Sequence, residues 1–162
     1  MFQKSYLIYK EVSMKINRIS KDEYYLGIAE AVSKRSTCLK RKYGCVIVNN
    51  DEIIATGYNG SSRGVENCCD RGTCNRLKKP SNSGDYSDCP GVHAEQNAMI
   101  SAARRDMIGA TLYLYGEEYA EYYDDNVHLL VNKWKPIDVI EPCPICKRML
   151  INAGINKIIV RK

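Results

Sequence analysis

A layered α/β domain is what this chain predicts, on three observations. Two short apolar runs, Thr111-Leu112-Tyr113-Leu114-Tyr115 and Lys157-Ile158-Ile159-Val160, each directly follow a helix-like segment and a glycine. Those helix-like segments carry apolar residues at helical spacing. A further pair of runs, Cys45-Val46-Ile47-Val48 and Glu52-Ile53-Ile54-Ala55-Thr56, flanks the turn sequence Asn49-Asn50-Asp51 as the arms of a hairpin do. Helix–strand alternation of this kind buries both element types in stacked layers.

Each element has its own local reason. Ser20 and Glu23 stand at capping-box spacing, so a first helix starts at Ser20 and runs through Tyr24, Ile28, Ala29 and Val32. The hairpin follows. From His93 to Arg105 the residues Ala94, Ala98, Met99, Ala102 and Ala103 recur at helical spacing with no proline or glycine between them, which predicts an alanine-rich buried helix. The strand at 111–115 comes next. Cys143 to Ala153, with Ile145, Met149, Leu150 and Ile151, predicts a last helix stopped by Gly154, and the strand at 157–160 closes the order α, β, β, α, β, α, β.

Length and composition bound the answer without producing it. A chain of 162 residues suits one domain with a proper core, and no internal repeat or low-complexity tract argues for two. Lys78 to Ser87, rich in Lys, Ser, Asn and Gly, predicts a mobile loop. The net charge of +5 is too dispersed to require nucleic acid as a partner. Eight cysteines without a signal-peptide pattern or an apolar membrane run predict reduced thiols, no membrane association and a cytoplasmic protein.

Chemistry concentrates in two short motifs. His93-Ala94-Glu95 and Pro142-Cys143-Pro144-Ile145-Cys146 together supply one nitrogen ligand, two thiolates and a carboxylate not needed as a ligand. Each motif opens a predicted helix, where unpaired amides and partial positive charge favour thiolate at Cys143 and Cys146. Pro142 or Pro144 suits a first turn, where no amide donor is required. Alone, a Cys-x-x-Cys is more often a structural zinc knuckle or a redox pair. Joined to His-x-Glu, it is the signature of zinc-dependent nucleobase deaminases, with His93, Cys143 and Cys146 holding one Zn2+ and Glu95 as the proton shuttle. The other histidine, His128, reads as an ordinary surface residue.

Beyond these motifs, several stretches resemble the deoxycytidylate (dCMP) deaminases of the cytidine deaminase superfamily, in that family's order. They are Arg35-Ser36-Thr37-Cys38, Gly44 to Val48, Thr56-Gly57-Tyr58-Asn59-Gly60-Ser61, His93 to Ala98 and Ile151-Asn152-Ala153-Gly154-Ile155. The resemblance spans residues 20–162. It implies a single catalytic domain there, with residues 1–19 as an N-terminal extension whose Tyr6 to Val12 is either inconsequential or packed on a neighbouring subunit. It also implies a three-layer cytidine-deaminase-like fold, a central mixed sheet flanked by the helices that carry the zinc site. The activity implied is hydrolysis of dCMP to dUMP and ammonia, feeding thymidylate synthesis, with dCTP and dTTP as effectors in many relatives and homo-oligomers, often hexamers, as the assembly. A deaminase of another cytosine nucleoside or nucleotide, or of tRNA adenosine, shares the zinc site; a non-catalytic zinc module would have no need of Glu95.

Substrate contacts are less constrained by the residues. Asn59 offers a donor and acceptors for the sugar 3′-hydroxyl or the pyrimidine edge, and the resemblance places Asn59 and Gly60 at the pocket; equally, Asn-Gly is a strong turn dipeptide. Arg63, Arg35 and Lys42 are nearby in sequence as cations for a 5′-phosphate, none of them fixed. Some relatives hold a structural zinc with residues from the regions of Cys38, Cys69, Cys74 and Cys89. Those four thiols either form such a site, tethering the loop 60–92, or are free or regulatory thiols, while Cys45 in its apolar run reads as a small buried hydrophobe. Relatives run from the third strand into a Thr-x-Ser-Pro-Cys turn; here an insert, 116–141, intervenes and Glu141 replaces the Ser. The insert reads as a lid, an oligomer contact, a regulatory element or a plain surface hairpin.

Overall fold

Ser20 caps α1 (Lys21–Ser33) as its spacing requires: its hydroxyl accepts from the Glu23 amide at 3.2 Å, and the Glu23 carboxylate accepts from the Ser20 amide at 2.9 Å. β1 (Arg41–Asn49) and β2 (Glu52–Tyr58) form the expected antiparallel hairpin. Asn50 and Asp51, with φ of 48° and 68°, make its two-residue turn, the left-handed pair whose twist matches that of the strands. The computed structural model describes residues 17–77, 79, 86–124 and 128–161. The segment Tyr6 to Val12 and most of the loop from Lys78 to Ser87 lie outside the described residues.

After β2 come β3 (Gly60–Ser61), α2 (Cys68–Arg71), β4 (Gly91–Val92), α3 (Ala94–Ile100) and α4 (Arg104–Met107). The chain ends with β5 (Thr111–Asp124), β6 (Leu129–Pro136), α5 (Pro144–Ala153) and β7 (Lys157–Val160). Two expectations need correction. The helix predicted over 93–105 breaks after Ile100, because the Ser101 hydroxyl bonds back to the Asn97 carbonyl at 2.9 Å and the Ser101 and Ala102 amides tighten onto residues three back. The strand predicted at 111–115 continues to Asp124, and the insert 116–141 supplies both that continuation and β6.

The main sheet runs β2-β1-β5-β6, and β7 pairs with β5 in parallel, so the sheet is mixed. β6 and β7 share one edge of β5 end to end: β7 pairs with residues 111–114 and β6 with 117–124. Burial on both faces explains why β1 and β5 read as continuous apolar runs. Cys45, Ile47, Leu112 and Leu114 point into the layer with Ala94, Ala98, Met99 and Leu150 of α3 and α5; Val46, Val48, Tyr113 and Tyr115 point to Tyr25, Leu26 and Ala29 of α1. Helices thus cover both faces, three layers in all.

Two glycines set how closely the helices approach. A Cβ on Gly44 would stand 2.2 Å from the Ala29 carbonyl in α1, and one on Gly57 2.2 Å from the Ala94 carbonyl in α3. Across the ladder, the insert hairpin is held by the Tyr119–Trp134 ring pair at 5.5 Å and by Lys42 lying 4.1 Å over the Trp134 ring. Among the described residues no helix is long and apolar enough to cross a membrane.

Candidate metal and catalytic site

His93 and Cys143 are the N-cap residues of α3 and α5, and Pro144 takes the first helical position of α5. At α3, the Gln96 side-chain oxygen accepts from the His93 amide at 3.0 Å, which steadies the backbone that carries the imidazole. Its Nδ1 faces two sulfurs, at 3.5 Å from Cys143 and 3.4 Å from Cys146. All three ligand atoms lie within 4.8 Å of one another, the one such group among the described residues. Donors held at about 2.0–2.3 Å in a tetrahedral shell stand about 3.5 Å apart, so the spacing and the imidazole–dithiolate chemistry both fit zinc.

Electrostatics depart from the thiolate expected at Cys146. Burial, and next the charge of Glu95, push the Cys146 thiol well above the ordinary thiol range, a cost that a bound metal reverses by taking the thiolate as ligand. The Cys146 amide meanwhile points at the Cys143 sulfur at 3.4 Å. Glu95, in the first turn of α3, is only 5% exposed and stands outside the metal-ligand group. Burial raises its carboxyl above the usual range, against the pull of its own helix amide and of His93.

His93, Glu95 and Cys143 open into a cavity of about 150 Å³ that also meets Asn59, Gly60 and Ser61. The Asn59 amide is largely committed to the protein. Its Oδ1 accepts from the Ser36 hydroxyl and the Tyr43 amide, both at 2.7 Å, and its Nδ2 donates to the Arg41 carbonyl at 2.8 Å. Neither Asn59 nor Gly60 has the positive φ of a hairpin turn. Gly60 is small for a different reason: a Cβ would meet Thr37 Oγ1 at 2.5 Å.

Of the cations considered from sequence, Arg35 and Arg63 are exposed and outside the cavity lining, and Lys42 stacks on Trp134. Lys40, Arg41 and Arg76 line the cavity instead. Arg76 and Tyr86 sit in an irregular loop without periodicity, and only the nearness of a basic pair to the first strand signalled Lys40 and Arg41. Cys38, Cys69, Cys74 and Cys89 do not converge to ligand distances. α2 begins at Cys68 and turns that residue inward, leaving Cys69 exposed with its sulfur 3.4 Å from Asp70; Cys68 joins Cys38, Cys74 and Cys89 in the cavity wall. Cys45 is fully buried, as its apolar run predicts.

Comparison with known proteins follows the same lines. The family profile described as "Cytidine and deoxycytidylate deaminase zinc-binding region" matches residues 19–162. A deoxycytidylate deaminase of Mycobacterium phage D29 is 35% identical over 147 residues, covering 87% of this chain and 94% of the phage protein. The deoxycytidylate deaminase of Schizosaccharomyces pombe is 43% identical over 99 residues, 60% of this chain, which spans only 30% of that longer protein. Among solved structures, the dCMP deaminase of cyanophage S-TIM5 in complex with dCMP and dUMP superposes with a TM-score of 0.55 at 25% identity, over 89% of this chain and 84% of that one.

Proposed function

The chain belongs to the cytidine and deoxycytidylate deaminase family, and from that premise we propose that it hydrolyses dCMP to dUMP and ammonia. The observation that carries the reading is Glu95: a buried carboxyl, two residues after one metal ligand, lining the same cavity as His93 and Cys143 without belonging to the ligand group. When bound, zinc supplies Lewis acidity at a fourth position left open by three protein ligands. Glu95 takes one proton from the attacking water as the water's oxygen bonds to C4 and delivers it to N3 of the cytosine; it then carries the remaining proton of the new C4 hydroxyl to the amino group, which leaves as ammonia as the bond from C4 to that nitrogen breaks and the C4 carbonyl forms. A carboxyl whose pKa burial has raised is suited to both halves of that transfer. Asn59, cross-linking Ser36, Arg41 and Tyr43, holds the cavity wall in register.

Other parts of the proposal rest on the family resemblance. Residues 20–162 are the catalytic domain and 1–19 an extension; the thiol ligands require a reducing compartment, which we take as the cytoplasm. Assembly with copies of the same chain would cover Ile100, Ile145 and Ile151, exposed on α3 and α5, and dCTP and dTTP are the effectors to try. The test is ammonia release from dCMP, CMP, deoxycytidine, dCTP and tRNA, each with and without dCTP and dTTP. Preference for dCMP is expected. Faster turnover of tRNA or of the free nucleoside would overturn the reading.

A further inference from the structure

Resting on the dCMP reading, we propose that Arg76, oriented by its stack on Tyr86, holds the 5′-phosphate of the substrate, with the Ser61 hydroxyl as a second donor. The cavity has one cationic wall, made of Lys40, Arg41 and Arg76. The Arg41 guanidinium meets the Glu118 carboxylate at 2.9 Å and the Tyr43 hydroxyl at 3.3 Å. The Lys40 ammonium donates to the carbonyls of Arg76, at 3.0 Å, and of Lys79. That ties the long loop to the start of β1 and sets two like charges side by side, which lowers the Lys40 pKa after burial has done so.

Arg76 is 7% exposed, and it and Glu95 are the two charged side chains buried among the described residues. Its guanidinium lies 4.1 Å over the Tyr86 ring, and that ring packs edge-on against His93 at 6.0 Å. The stack therefore leads from the cationic wall to the metal end of the cavity. Ser61 Oγ is buried in the same lining with no hydrogen-bond partner among the described residues, which calls for a ligand acceptor. A phosphate suits both side chains, since its oxygens accept a forked pair from a planar guanidinium and a further bond from a hydroxyl. With cytosine at Glu95, the nucleotide's only dianionic group has to lie away from the metal end.

The experiment compares kcat/KM for dCMP and deoxycytidine in wild type, Arg76→Ala, Arg76→Lys and Ser61→Ala, all zinc-loaded, and titrates each with deoxyribose 5-phosphate by calorimetry. Arg76→Ala is expected to lower the dCMP-to-deoxycytidine ratio by about 10- to 100-fold, chiefly through KM, and to weaken deoxyribose 5-phosphate to a similar degree. Arg76→Lys should recover part of both, and Ser61→Ala should lose about 10-fold. An unchanged ratio with unchanged deoxyribose 5-phosphate binding in Arg76→Ala overturns the assignment; if that variant fails to fold, the same result in Arg76→Lys and Ser61→Ala overturns it. If wild type turned over neither substrate yet bound deoxyribose 5-phosphate through Arg76, the deaminase reading would fall and the phosphate assignment would stand.

Discussion

The two ends of the cavity are built by opposite means. At the metal end, His93, Glu95, Cys143 and Cys146 sit on the first turns of two helices that pack on the sheet, and a glycine lets β2 touch α3. At the cationic end, Lys40, Arg41, Ser61, Arg76 and Tyr86 come from strand ends and a long loop, held by side chain-to-backbone bonds and by the Arg41–Glu118 ion pair. Chemistry that depends on ångström spacing is placed on the core, and recognition of the substrate's outer part on segments that can vary.

The comparison can be broken most severely at the metal end. Cys146→Ser is expected to lose zinc and activity together, from one zinc per chain in wild type; elemental analysis reads both values, and a wild-type ratio near two would mean that the Cys38, Cys68, Cys74 and Cys89 wall closes on a metal. Glu95→Gln should keep its zinc while kcat falls by about 10²- to 10⁴-fold; near wild-type turnover would remove Glu95 from its role. Gly57→Ala tests the rigidity directly. Its Cβ would meet backbone of α3, so a loss of about 1–3 kcal/mol in denaturant unfolding is expected, with turnover falling in step.

A milder change sharpens the other half. Glu118 belongs to the insert, yet it holds Arg41 in the cavity wall at 2.9 Å and lies 3.7 Å from Lys135. Both partners of the Arg41 pair are about three-quarters buried, so it exceeds an ordinary surface ion pair. Glu118→Ala is expected to raise KM for dCMP severalfold with kcat little changed and zinc retained. No change in KM would reduce the insert to a surface hairpin.

What was legible in the sequence follows the same division. The capping box at Ser20, the hairpin and the stop at Gly154 are local devices, and each is present. The metal motifs could be read because each lies at a helix start with a short, chemically constrained spacing. By contrast, the inward turn of Cys68 rather than Cys69 depends on where a four-residue helix begins, and Arg76 on a bond from a lysine 36 residues away. Neither leaves a periodic trace. The break after Ile100 was hidden because an alanine-rich pattern continues past a serine that ends the helix by back-bonding.

Gly44 and Gly57 lie on adjacent strands one register step apart, Gly44 opposite Tyr58 and Cys45 opposite Gly57. Their bare backbones meet α1 on one side and α3 on the other, so the sheet is pinched at nearly one point between two helices. A push on α1, far from any reacting atom, has almost no compressible side-chain packing to absorb it before it reaches the turn that carries His93 and Glu95. Distant substitutions along the Ala29–Ser33 ridge should therefore be felt as altered catalysis as well as altered melting.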